Sequence, residues 1–293
     1  MTYQVLHTGN AKTIQGASWL TGRKEFEIGG LARLRLMQLK SWSVDPHYDR
    51  IIIADVFSGS GENVMDAKDD PIDGSPIRLL WALSHAVNTR HGPNPMALEK
   101  KRIDFLFSDI RKDAIAHLKG IIDDRWDNTC NANIYAETLE ASEAIQLLLD
   151  ELLISPRTHL ILVLDPNGPK SFPRDKVLEL LARHGARVDV IPYISATAIN
   201  RCLRHKETCG AHYDWWLSAI ESFDTGFVLE IAKYRKGWIR EPVPGDPQKW
   251  LLFPTFPSRF YPTHDWSKQG YVMIDSPRGI NALRTYSSIR EAA

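Results

Sequence analysis

The chain has 293 residues, 43% hydrophobic and 25% charged, enough to bury a continuous core without disulfide or metal staples. Thirty-six basic residues balance thirty-six acidic ones, which argues against attachment to nucleic acid by bulk charge but leaves room for a local basic patch. Three cysteines (Cys130, Cys202 and Cys209) make no disulfide framework, the N-terminal MTYQVLHTGN lacks a signal peptide's apolar core, and no apolar run is long enough to span a membrane, so a reducing cytoplasm is expected.

The first twenty or so residues are polar and without period, and read as an arm. From Lys24 to Trp42, Leu31, Leu34, Leu36, Met37 and Leu39 recur at helical spacing, with the interleaved Lys and Arg expected on a solvated face. Ile51 to Val56 is β-branched and continuous, the pattern of a central strand buried on both faces. It runs into the glycine-rich turn Phe57-Ser58-Gly59-Ser60-Gly61. Asn63 to Asp73 is acidic and reads as a loop. Ser75-Pro76 then opens a helix, with serine as N-cap and proline first in the helix.

Farther on, strands are expected at Ile103–Asp109, Asn131–Glu137 and His159–Asp165. Helices are expected at Lys112–Ile122, Ala141–Leu153 and Arg174–His184. ARVDVIPYI is a further strand. Ala196–Leu203 and Tyr213–Phe223 read as helices, and Phe227–Tyr234, KWLLFPTF and YVMIDSP as strands. This alternation argues an α/β fold built on a doubly wound, mostly parallel, Rossmann-like sheet. Antiparallel strands are expected at its edge. One domain is expected: an arm and helix over 1–45, the core over 46–240, and an aromatic- and proline-rich lid with edge strands over 241–293. The nine tryptophans, several of them in the C-terminal third, fit either large packing side chains or a stacking surface.

Ligands of doubly wound sheets bind outside the carboxyl ends of the strands, so the residues there are the candidates. The first strand ends in Asp55-Val56-Phe57-Ser58-Gly59-Ser60-Gly61, where glycine allows a sharp turn and close approach to a ligand. The second ends in Asp109, whose carboxylate suits a ribose diol and equally suits a cap on the next helix. The third ends near Glu137, which also fits a solvent-facing position. The fourth ends in Asp165-Pro166-Asn167-Gly168, which also fits a plain structural turn. No Gly-Lys-Ser/Thr closes the turn and Val64 breaks G-x-G-x-x-G, so phosphate-binding readings rank lower. Cys202, His205, Cys209 and His212 are zinc-ligand types at a spacing that matches no common finger. A polar connection and, with Arg201, Arg204 and Lys206, a phosphate contact are the other readings.

D-x-F-x-G-x-G followed by an acid-ended strand resembles class I S-adenosylmethionine-dependent methyltransferases. DVFSGSG is similar to the first motif of DNA amino-methyltransferases, and DPNG occupies the place of their D-P-P-Y tetrapeptide. Asp55–Gly61, Gly74-Ser75-Pro76 and Asp165–Gly168, in that order, most resemble the three-Cys-motif partner proteins (TcmP). The likeness covers roughly residues 25 to 285. It implies S-adenosyl-L-methionine as cofactor, held by Asp55, Phe57, Ser58, Gly59, Gly61, Asp109 and Glu137. It implies a catalytic Asp165-Pro166-Asn167-Gly168, no metal, and a nucleic acid, DNA first, or a partner protein as the other participant. Amino-methyltransferases stack the target base on an aromatic fourth residue. This chain has Gly168 there, which leaves Phe172, Tyr193 or a tryptophan as stand-ins, with Ser75 and Arg201 as further substrate contacts. Transfer of a group other than methyl, or a non-catalytic partner that keeps the fold, are the alternatives.

Overall fold

The computed structural model describes residues 15–16, 28–33, 35–36, 48–64, 71–88, 101–126, 132–166, 172–195, 236–240, 250–252, 255–256, 271–273 and 276–282. The chain divides into two compact units, Met1–Val163 and Leu164–Ala293.

The first unit holds β1 (Gln15–Gly16), a helix α1 at residues 28–33 and 35–36, β2 (Arg50–Asp55), β3 (Glu62–Val64) and β4 (Ile72–Asp73). It continues with α2 (Ser75–Asn88), β5 (Arg102–Asp109), α3 (Lys112–Arg125), β6 (Asn133–Thr138), α4 (Ala141–Ile154) and β7 (Thr158–Leu164). β7, β2, β5 and β6 form, in that order, a parallel sheet. The earliest strand is central and the chain winds outward both ways, so the switch point lies between β2 and β7. That is the doubly wound arrangement expected. β7 is buried at every residue and β2 at all but its first, which explains their unbroken apolar runs.

The pleat sorts the sheet into two faces. Ile53, Phe105 and Ile134 are in register on one face, as are Asp55, Phe107 and Ala136, and Asp109 follows Phe107 on that side. Helix α3 covers this face: Lys119, Ile122, Asp123 and Trp126 form a helical stripe over Ala132, Ile134 and Ala136. The alanines are too small to fill the gap, which leaves a cavity of about 360 Å³. The rings of Phe105 and Phe107 lie 5.5 Å apart. On the opposite face Arg50 binds both Asp104 and Glu151 of α4, while Asn133 donates to Asp104 at 2.7 Å. Burial works against the Arg50 charge, but the bonds to Glu151 and Asp104 outweigh it and hold its pKa above the ordinary value.

The acidic stretch after Gly61 is not all loop. β3 pairs antiparallel with β4 and parallel with β1. Of its acids, the described Glu62 and Asp73 are paired with cations: Glu62 bonds Arg125 at 2.6 Å and lies 3.2 Å from His117, and Asp73 lies 3.9 Å from Arg78. In α1, Arg33 is exposed as expected but Arg35 is fully buried, so the basic residues do not all share a solvated face.

The second unit holds α5 (Arg174–His184), a single 3-10 turn (Gly185–Arg187), β8 (Val188–Ser195), β9 (Lys236–Arg240), β10 (Trp250–Leu252), β11 (Thr255–Phe256), β12 (Tyr271–Met273) and a short helix α6 at residues 277–282. β10 runs antiparallel to β8, and β9 lies between antiparallel β11 and β12. Antiparallel strands therefore do occur toward the C-terminus. β9 was not expected; its Lys-Gly start and terminal Arg hide the strand pattern. The helices expected at 196–203 and 213–223 and the strand at 227–234 lie outside the described residues.

Candidate ligand site at the strand ends

Central burial brings β2 to its end at Asp55, which is fully buried. One carboxylate oxygen accepts the Phe57 N–H at 3.0 Å, which starts the turn. Ser58 N–H donates to the Ser108 carbonyl at 2.9 Å, tying the turn to β5. The Ser60 hydroxyl donates to the Glu62 carbonyl at 3.0 Å. Gly59 and Gly61 have φ of 60° and 80°, a region that L side chains enter only at a cost.

The two glycines differ in what surrounds them. A Cβ on Gly61 would stand 2.6 Å from Leu118 Cδ1 and 3.6 Å from Ile121 Cδ1, and so collide with α3. Close packing of the helix, as well as the positive φ, requires glycine there. Gly61 thus has a packing role against α3 beside the one expected of it. Gly59 instead donates its N–H to Asp109 Oδ2 at 3.1 Å.

Asp109 is nine-tenths buried at the end of β5. Its other oxygen, Oδ1, accepts the Arg111 N–H at 2.9 Å and the Arg111 Nε–H at 3.3 Å. Arg111 is itself the N-cap of α3, so Asp109 closes a local turn and does not satisfy the free N–H groups of the helix. One acceptor direction on Oδ2 is unused in these bonds. Beside it, Ile110 is 68% exposed, an apolar side chain left in water at the strand end. It was not among the expected site residues, because an isoleucine just past the strand's acid reads as part of the helix that follows. The Ser58 and Ser108 hydroxyls are buried and have no hydrogen-bond partner among the described residues.

Glu137 does not join this group. In register with Ser108, it sits on the opposite face from Asp109 and is exposed on the outermost strand of the parallel sheet. Phe57 is half-buried within the turn. Ser75 is buried at the first residue of α2, preceded by Gly74, whose N–H donates to the Gly61 carbonyl at 2.7 Å. The cavity between α3 and β6 is on the side of Ala132, at the start of β6, and not at the end that carries Thr138.

In the second unit, Asp165 and Pro166 follow β7 directly and are half-buried. Phe172 is 6% exposed, packed rather than presented as a stacking platform. Tyr193 is in β8 opposite Leu252. Asn167, Gly168, Arg201 and the Cys202, His205, Cys209 and His212 cluster lie outside the described residues. Among the described residues, no group of three His, Cys, Asp or Glu side chains is placed to hold a metal, and no helix is long and apolar enough to cross a membrane.

No family model matches the chain, and no curated protein matches it. Among solved structures it is similar to Trm1 from Pyrococcus horikoshii in complex with S-adenosyl-L-methionine. The identity is 14% and the TM-score 0.38, over 78% of this chain and 55% of that one. That likeness is too distant to fix fold or function.

Proposed function

We propose that the chain is an S-adenosylmethionine-dependent methyltransferase-like enzyme acting on a nucleic-acid base. The observation that carries this reading is the pairing of a positive-φ glycine turn at the end of the central strand with an acid at the end of the neighbouring one, joined by the Gly59–Asp109 bond. Nucleoside-type ligands bind at such a place in doubly wound sheets.

The residues present fit the cofactor. Asp55 supplies buried negative charge for an ammonium, and Asp109 keeps one acceptor direction for a ribose hydroxyl. Ile110 offers an exposed apolar surface for the face of a base. The Ser58 hydroxyl is a buried donor lacking a partner among the described residues. Once bound, S-adenosylmethionine supplies an electrophilic methyl group on a sulfonium. The protein's own task is alignment, because in-line displacement depends chiefly on positioning. In this reading Asp165 accepts a hydrogen bond from the acceptor amine, turning its lone pair toward the methyl group, and Asn167 offers a second polar contact.

Gly168, in place of a stacking aromatic, favours a second reading in which the chain keeps the pocket and serves a partner protein without chemistry. Labelled S-adenosylmethionine incubated with genomic DNA or total RNA separates the two. The enzyme reading expects label in nucleic acid with the wild type and a loss of at least about 100-fold with Asp165→Ala. No incorporation, or incorporation untouched by that change, overturns it.

A further inference from the structure

We infer that Arg111 is a specificity-determining residue that restricts Asp109 to a single ligand hydroxyl. The inference rests on the proposed nucleoside-type site and goes beyond it. A carboxylate has about four acceptor directions, two on each oxygen. Arg111 fills both on Oδ1, through its N–H at 2.9 Å and its Nε–H at 3.3 Å. Gly59 fills one on Oδ2. A vicinal diol is best held by donating one hydroxyl to each carboxylate oxygen, and here only Oδ2 can accept.

The two bonds from Arg111 differ in kind. The N–H bond closes a local Asx turn and persists whatever the side chain does. The Nε–H bond belongs to a guanidinium whose side chain is 33% exposed. Its Nη2 is buried with no hydrogen-bond partner among the described residues. Burying a donor unpaired is unfavourable, so this side-chain position is held chiefly by Asp109. Shortening the side chain frees one direction on Oδ1 without disturbing the Gly59 bond or the Asx turn. Arg111 thus acts through Asp109 as a positioning residue.

The test is calorimetric titration of wild type and Arg111→Met with S-adenosylhomocysteine and its 2′-deoxy and 3′-deoxy forms. With the wild type, one of the two deoxy ligands should bind within about twofold of the parent, since one hydroxyl has no partner on Asp109. With Arg111→Met, the parent should bind about three- to tenfold more tightly, and both deoxy ligands should bind worse than the parent by a similar factor, one hydrogen bond's worth. If Arg111→Met is poorly folded by circular dichroism, Arg111→Ala carries the same expectation. Unchanged or weaker parent binding, or an unchanged hydroxyl pattern, overturns the inference and leaves the cofactor reading standing. No binding of any of these ligands by wild type or variant overturns both.

Discussion

The carboxylate of Asp109 at the end of β5 accepts the backbone N–H of Gly59 in the turn after β2, at 3.1 Å. One buried side chain therefore fixes the turn that a ligand would lie against. Asp109→Ala leaves the buried Gly59 N–H unpaired and removes the Asx turn at Arg111. The expected loss is about 1–3 kcal/mol of unfolding free energy, measured by urea denaturation. Stability equal to the wild type would show that the bond does not hold the turn.

Glycine substitutions should split according to what each Cβ meets. At Gly61, φ is 80° and the new atom falls 2.6 Å from Leu118 Cδ1, so Gly61→Ala should cost about 2–4 kcal/mol. At Gly120 in α3 nothing lies within 4 Å, and Gly120→Ala should stabilise by about 0.5–1 kcal/mol. Thermal melts of the two variants provide the check, with opposite signs expected.

The ion cluster on the other face predicts a comparable single effect. Arg50 joins Asp104, whose side chain is 3% exposed, to Glu151. Arg50→Ala leaves Asp104 to Arg102 at 3.0 Å and Asn133 at 2.7 Å, a partial replacement. A loss of about 2–3 kcal/mol is expected in chemical denaturation, below the full cost of stranding a buried charge. Replacing Asp104 by Leu together with Arg50→Met should destabilise less than Arg50→Ala alone, because no buried charge is then left behind.

What could be read from the sequence, and what could not, follows from the range of the interactions involved. β2 and β7 were legible because burial on both faces leaves an unbroken apolar run, β5 because Phe105, Leu106 and Phe107 run on to an acid at the strand end, and α5 because its apolar stripe and bounds are local. The face on which Glu137 sits depends on pairing with Ser108, which no local pattern shows. Gly61 was visible as a glycine, but Leu118, which requires it, belongs to a distant helix. β3 and β4 are too short to show a period, and their acids look solvated until Arg125, His117 and Arg78 are in place.

His184 predicts a pH dependence in the second unit. Burial, then Arg187 and Arg183, push its pKa below the ordinary 6.5. The unfolded chain therefore binds a proton at a higher pH than the folded one. The contribution to stability is complete above about pH 6.5 and is lost as pH falls from there toward the lowered folded pKa. Between pH 7.5 and 5, His184→Gln should flatten the decline in melting temperature seen with the wild type. An equal decline in both proteins would remove His184 as the cause.

The central claim is that the Gly59 turn and Asp109 form a nucleoside-type ligand site, and calorimetric titration with S-adenosylhomocysteine tests it most directly. Saturable one-to-one binding is predicted, weakened about tenfold or more by Asp109→Asn, with the fold of that variant confirmed by its urea transition. No binding heat up to millimolar ligand, or an affinity unchanged by Asp109→Asn, would contradict the account.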